Sequence, residues 1–112
     1  MDKIAIYQNA ITALLKEYAA VKPANMPAVE HQVLADLERN HFALIRLGWE
    51  NGRFVYHCVM HFDIKNGKVW LQQNWTDQDV AEELTAKGVD RKDIVLGFVP
   101  PYERAHTGYA EA

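Results

Sequence analysis

Glu50-Asn51-Gly52-Arg53-Phe54-Val55-Tyr56-His57-Cys58-Val59-Met60-His61-Phe62-Asp63-Ile64-Lys65-Asn66-Gly67 is the stretch that decides the fold. It is bracketed by two Asn-Gly pairs, the strongest short-range signal for a two-residue hairpin turn. Between them Phe54, Tyr56, Cys58, Met60, Phe62 and Ile64 take every second position. That period predicts a strand over residues 53–64 with one unbroken apolar face. At about 3.3 Å per residue such a strand spans roughly 40 Å. A folded chain of this length has a radius of gyration of about 13 Å. The strand must therefore twist strongly, carry a bulge, or project as a ribbon.

Working upstream, residues 41–49 alternate, with Ala43, Ile45, Leu47 and Trp49 on one side. Before the turn at Glu38-Arg39-Asn40, Val29, Val33, Ala35 and Leu37 oppose Glu30, Gln32, Asp36 and Glu38. Downstream of Gly67, residues 68–74 supply a fourth strand. Connections this short imply an antiparallel meander. The other face of this sheet keeps Leu34, Phe42, Leu44, Val55 and Val59, where a one-sided sheet is polar. A cover is therefore expected there, from the C-terminal segment or from a second copy in a homo-oligomer.

Helices flank the meander. Ile4, Tyr7, Ile11, Leu14, Leu15 and Tyr18 recur at offsets of three and four, predicting a helix over about residues 2–20 that Pro23 and Pro27 cannot continue. Thr76, with Asp79 three residues on, predicts the N-cap of a second helix carrying Val80, Ala81 and Leu84 and stopped at Gly88. Asp90 caps a short turn over residues 91–93, and residues 94–99 form either a fifth strand or a buried extended segment ended by Pro100-Pro101. The remaining tail, anchored by Tyr102 and Tyr109, is expected to be irregular, either a strap across the sheet or a binding segment. The expected class is α+β in a single domain, residues 1–112: an N-terminal helix, a four-stranded antiparallel meander with one long central strand, a second helix, a short extended segment and a tail.

Composition narrows the function. The chain has 112 residues, 49% hydrophobic and 24% charged, which fits a globular domain and excludes disorder over most of its length. Its formal charge is −3. A small protein that grips DNA alone usually carries a basic stripe that displaces counterions from phosphates. Here Lys65, Lys68, Arg91, Lys92 and Arg104 are scattered and interleaved with Asp63, Asp90 and Asp93. One cysteine, Cys58, excludes an intrachain disulfide. The start of the chain reads as neither a signal peptide nor a membrane span, so a cytoplasmic location is expected.

Few residues suggest chemistry. His57, His61 and Asp63 are expected on one face of the long strand. On a strand, residues four apart lie about 13 Å apart, so His57 and His61 cannot share a zinc whose ligands sit about 2 Å away. His61 and Asp63 are close enough to do so with help from a neighbouring strand, for which His41 is a candidate. Cys58 reads as a buried structural thiol on the apolar face. The chain has no serine, which removes serine-nucleophile mechanisms, and no glycine-rich phosphate loop. Trp49, Trp70, Trp75 and Tyr56 can in principle stack bases, although strand aromatics are more often core.

Four ordered pieces carry a resemblance. They are His61-Phe62-Asp63-Ile64-Lys65-Asn66-Gly67-Lys68-Val69-Trp70-Leu71-Gln72-Gln73-Asn74, Asp79-Val80-Ala81-Glu82-Glu83-Leu84, Gly88-Val89-Asp90-Arg91-Lys92-Asp93-Ile94-Val95-Leu96-Gly97-Phe98, and Pro101-Tyr102-Glu103-Arg104-Ala105-His106-Thr107-Gly108-Tyr109-Ala110. With Gly48-Trp49, they resemble the XisI family, the fdxN-element excision controlling factors of cyanobacteria. The resemblance implies a role in programmed excision of a DNA element during heterocyst differentiation, where a separate site-specific recombinase cuts and joins the strands. It implies an XisH-type protein as partner and brings no catalytic residues to carry over, while the acidic charge without a basic stripe leads to the expectation that DNA is contacted indirectly; no cofactor and no metal are expected. The positions matching the family motif are His61, Asp63, Gly67, Trp70, Gln73, Asp93, Pro101 and Arg104, which are candidates for functional or fold-defining roles. The expected function is that of a non-catalytic regulator that binds a protein partner. The alternatives are a direct DNA-binding directionality factor and a metal-dependent enzyme built on His61 and Asp63.

Overall fold

The first helix starts where Asp2 accepts the amide of Ile4 at 3.3 Å. The structure, a computed structural model, describes residues 2–112. Helix α1 (Lys3–Ala19) is followed by β1 (Val29–Asp36), β2 (His41–Glu50), β3 (Arg53–Lys65) and β4 (Lys68–Asn74). Helix α2 (Val80–Ala86) and a short 3-10 turn (Arg91–Asp93) lead to β5 (Ile94–Leu96), and a second 3-10 turn (Pro101–His106) opens the tail. Asn40, Asn51 and Asn66 all take positive φ at the three hairpin turns, a conformation that asparagine and glycine tolerate best. At the first of these, the Asp36 carboxylate also accepts the amides of Glu38 and Arg39.

The sheet has five strands in the order β1-β2-β3-β4-β5. The first four form the expected antiparallel meander. The expectation of a four-stranded sheet is corrected by β5, which pairs parallel to β4. The connection permits it: a parallel pair needs a crossover of a dozen or more residues, and the segment through α2 and the 3-10 turn supplies one. Helix α2 also starts three residues later than expected. Asp79 is its N-cap, accepting the amide of Glu82, whereas the hydroxyl of Thr76 donates to Asn74 and accepts the amide of Gln78 in the preceding turn.

The long strand solves its geometric problem with bulges. Leu44 faces Met60 but Ile45 faces Cys58, so Val59 is an extra residue in β3. A second slip, between His61 and Phe62, leaves Gln72 extra in β4. A bulge sharpens twist and flips the alternation beyond it. The apolar face is therefore not unbroken. Met60, Phe62 and Ile64 are core, while Phe54 and Tyr56, on the far side of the bulge, are exposed. The hairpin end also runs past β4, whose pairing stops at Met60, giving a longest dimension of 43 Å and a radius of gyration of 14.8 Å.

Both helices pack on one face. Ile11, Leu14 and Leu15 of α1 and Val80 and Leu84 of α2 share a cluster with Phe42, Leu44, Val59, Met60, Phe62 and Leu71. The face expected to need a cover divides: Phe42, Leu44 and Val59 lie under α1 and need none, whereas Leu34 pairs with Ala43, falls on the other face and is half-exposed, because it is Val33 that lies opposite Leu44. The face bearing Ala43, Ile45 and Leu47 is the one the helices leave open. Polar contacts fix the helix along its length. Tyr7 donates to Asp93 at 2.6 Å beside the Lys3–Asp93 ion pair at 2.8 Å, Gln8 reaches Asn40 at 2.7 Å, and Tyr18 donates to Glu83 at 2.7 Å. Near its C-terminal end His31 meets the carbonyl of Ala19 through Nδ1 and the guanidinium of Arg46 through Nε2. A guanidinium only donates, so Nε2 accepts and Nδ1 carries the proton.

The tail acts as a strap. Ala110 bridges to Val95 beside β5, and its amide donates to Ile94. Arg104 is buried and donates to the carbonyls of Val99, Glu111 and Gly97 at 3.0, 3.3 and 3.3 Å. Tyr109 packs against the core and donates to Glu82. Among the described residues, no helix is long and apolar enough to cross a membrane.

Candidate functional site

The open face of the sheet carries one polar hub. Asp63 lies opposite His41 in β2 and Trp70 in β4, so these side chains share a face. Its Oδ1 takes His41 Nδ1 at 2.8 Å and His61 Nε2 at 3.0 Å. Its Oδ2 accepts from Gln72 Nε2 at 3.1 Å. Gln72 can reach back because it is the bulged residue of β4, and Gly97 leaves it room: a Cβ there would sit 2.3 Å from Gln72 Oε1.

The carboxylate is only 9% exposed, against partners that are half-exposed. Burial pushes the Asp63 carboxyl up, but hydrogen bonds from His41, His61 and Gln72 outweigh it and hold the group below the usual carboxylate range. A carboxylate only accepts, so each imidazole must spend a proton on it. That fixes the tautomers of the neutral rings: His41 carries its proton on Nδ1 and His61 on Nε2. The opposite nitrogens, His41 Nε2 and His61 Nδ1, are left as acceptors turned away from Asp63. The site is a pair of imidazoles held in register by one buried anion.

A stability dependence follows from this carboxyl. A group whose pKa is depressed on folding contributes stability above its unfolded value and loses it as pH falls through the folded value. Denaturant midpoints are therefore expected to fall as pH drops below about 4. The Asp63→Asn protein should show a shallower acid slope than the parent. Equal slopes in the two proteins would contradict the hub.

The candidate positions divide by role. His61, Asp63 and Trp70 come together on the open face, and Arg104 joins them with its guanidinium carbon 5.1 Å from the Trp70 ring. Lys65 Nζ lies 4.3 Å from the same ring. Asp93 lies apart, in the lock with Lys3 and Tyr7, which overcomes its burial and keeps its carboxyl low as well. Gly67 takes φ +75° in its turn, and Pro101 begins the 3-10 turn. Gln73 sits opposite His61 but donates to the Cys58 carbonyl, closing the point where β4 leaves β3.

Three expectations need correcting. His57 does not share a face with His61 and Asp63: the bulge at Val59 turns it to the helix side, opposite Arg46, where its ring lies 4.3 Å from Trp75. Cys58 is half-buried opposite Ile45 and, beyond the bulge, does not share the face of Met60. Burial raises its thiol pKa, which disfavours a thiolate nucleophile. Trp49 and Trp75 are exposed and not core. His61 and Asp63 are bonded to each other, and both imidazoles aim at one oxygen. Among the described residues, no group of three or more His, Cys, Asp or Glu side chains is placed to hold a metal ion. Gln72 was missed as a site residue. Its only signal was the repeated Gln72-Gln73, two like side chains where alternation calls for one polar residue.

Comparison with known proteins gives one consistent result. The model of the XisI protein family matches residues 1–111. The fold superposes on the crystal structure of a XisI-like protein from Anabaena variabilis with a TM-score of 0.89, at 47% identity over 97% of this chain and 99% of that one. It also matches the fdxN element excision controlling factor XisI from the same organism, with a TM-score of 0.83, at 28% identity over 99% of this chain and 100% of that one. No curated protein matches the chain.

Proposed function

The chain belongs to the XisI family, and from that premise we propose that it is a non-catalytic controlling factor of programmed DNA-element excision. It acts by binding an XisH-type protein through the open face of its sheet. The observation that carries this reading is the hub: a buried Asp63 aims two half-exposed imidazoles outward on a face that no helix covers. Oriented acceptors beside the Trp70 ring suit a protein surface, where a polar group of fixed direction sets register and an aromatic supplies contact area.

The cations support the same reading. Six of the twelve lysines and arginines are engaged: Lys3, Arg39, Lys87 and Arg91 with a carboxylate, Arg46 with His31 and Arg104 with backbone carbonyls; the others, Lys65 and Lys68 among them, are spread over different elements and form no single stripe. Cations already partnered in this way have little left to offer phosphates. The DNA would then be reached through the partner and the recombinase.

Co-elution tests the proposal. Mixed with its XisH-type protein at micromolar concentration, the chain is expected to elute as one complex. His41→Ala and His61→Ala should each weaken it by roughly tenfold while leaving the fold intact, the cost of a well-placed interface contact. No complex under these conditions would overturn the reading. Binding of duplex DNA by the chain alone, falling steeply with salt, would replace it with the DNA-binding alternative.

A further inference from the structure

A second surface lies away from the hub. Strand β3 pairs with β4 only over Met60–Lys65, so its outer half has β2 on one side and nothing on the other. At the inner end Gln73 takes the Cys58 carbonyl and Trp75 donates to that of Val59. The bare stretch is Arg53-Phe54-Val55-Tyr56-His57, about 17 Å of strand. Open edges of this kind are usually defended by lysine, proline, a bulge or a covering segment. The one fixed charge of this stretch, Arg53, sits at the turn end, and the stretch has no lysine, no proline and no bulge within it. Its outward side chains, Phe54 and Tyr56, are 54% and 62% exposed.

We infer that this edge pairs antiparallel with the same edge of a second copy about a twofold axis at Val55, joining two five-stranded sheets into one of ten strands. The register is set by the length of the bare stretch. Centring on Val55 places Phe54 of each copy opposite Tyr56 of the other, on the same face, and Arg53 opposite His57. Aromatic residues directly across an antiparallel pair are among the favourable cross-strand contacts. Within each copy the Phe54 ring already meets Trp49 edge-on at 5.4 Å, so the aromatic row runs on across the junction.

Charge and area favour a second copy over other occupants. Residues 51–62 contain no Asp or Glu, so the acidic groups that give the chain its −3 lie off this edge and do not repel a copy. Trp49 is 61% exposed, and with Phe54 and Tyr56 it leaves roughly 350 Å² of aromatic surface open per copy, given about 150–250 Å² for each such side chain. Two copies thus offer roughly 700 Å² before the backbone edge is counted, against about 1,200 Å² at the lower end for a specific interface. The paired backbone edge, with His57 and the exposed Trp75 beside it, adds to this area.

The inference is independent of the partner proposal and is tested on the full chain alone. Sedimentation equilibrium at micromolar concentration should give twice the chain mass. Tyr56→Lys and Phe54→Lys, each at an exposed position, should weaken the dimer by roughly tenfold to a hundredfold with unchanged circular dichroism, because lysine blunts an edge. Tyr102→Lys, in the tail, should leave it intact. A parent chain that stays monomeric would overturn the inference, as would a dimer that both edge lysines leave unaffected. If one edge variant fails to fold, the other decides.

Discussion

Replacing Gly48 by alanine is expected to cost about 3–5 kcal/mol, combining a strained backbone with overpacking. Gly48 sits inside β2 at φ +143°, which L side chains rarely adopt. A Cβ there would lie 2.2 Å from the Ala28 carbonyl oxygen and 2.8 Å from Val29 Cα. Both are backbone atoms, so no side chain can swing away, and relief requires moving the entry of β1. Gly52 provides the control. It also has positive φ, +77°, but nothing lies within 4 Å of a Cβ. Gly52→Ala should therefore cost only about 1 kcal/mol, the conformational term alone. Denaturant unfolding of the two variants separates close approach from strain, and equal losses would contradict the packing at Gly48.

Phe62→Ala should remove a similar amount, about 3–5 kcal/mol, as large-to-small changes at fully buried aromatics do. Phe62 is fully buried, opposite Phe42 in β2 and Leu71 in β4, in the cluster that α1 and α2 close. It flanks the second bulge and lies three residues from the first, between strands paired on both sides, which limits how far the cavity can collapse. Domains of this kind have only about 5–15 kcal/mol of total stability. The variant should thus lose about a fifth or more of its stability against urea. Phe54→Ala, eight residues away on the same strand but exposed, should change monomer stability by less than about 1 kcal/mol. If Phe62 and Phe54 gave equal losses, the division of β3 by the Val59 bulge would be wrong.

That division shows what was legible in the sequence. The Asn51-Gly52 and Asn66-Gly67 turns, the helical stripe from Ile4 to Tyr18 and the four strand runs were all readable, because each is fixed by residues close in sequence. The bulges were not, because an extra residue exists only relative to a partner strand. Cys58-Val59-Met60, three apolar residues in succession, is the one local trace of the break. Missing it placed His57 beside His61 and left Phe54 and Tyr56 in the core. The parallel β5 depends on a crossover through α2, and three apolar residues at Ile94–Leu96 do not reveal strand direction. The α2 cap at Asp79 was hidden because Asn74 engages the Thr76 hydroxyl in a competing turn. Of the hub, Asp63 and His61 were visible as a pair two apart. His41 lies 22 residues from Asp63, and only the hairpin brings it there.

On the proposed function, an XisH-type protein meets the open sheet face through imidazoles held by Asp63. Four histidines make suitable probes. His41 and His61 lie on that face, while His31 and His57 lie on the helix side. The direct measurement is a titration of the nitrogen-labelled chain with the XisH-type protein, following the histidine ring resonances by NMR. The predicted result is that the His41 and His61 rings shift or broaden with saturation while His31 and His57 hold their positions. Rings that all stay unmoved, or movement confined to His31 and His57, would contradict it.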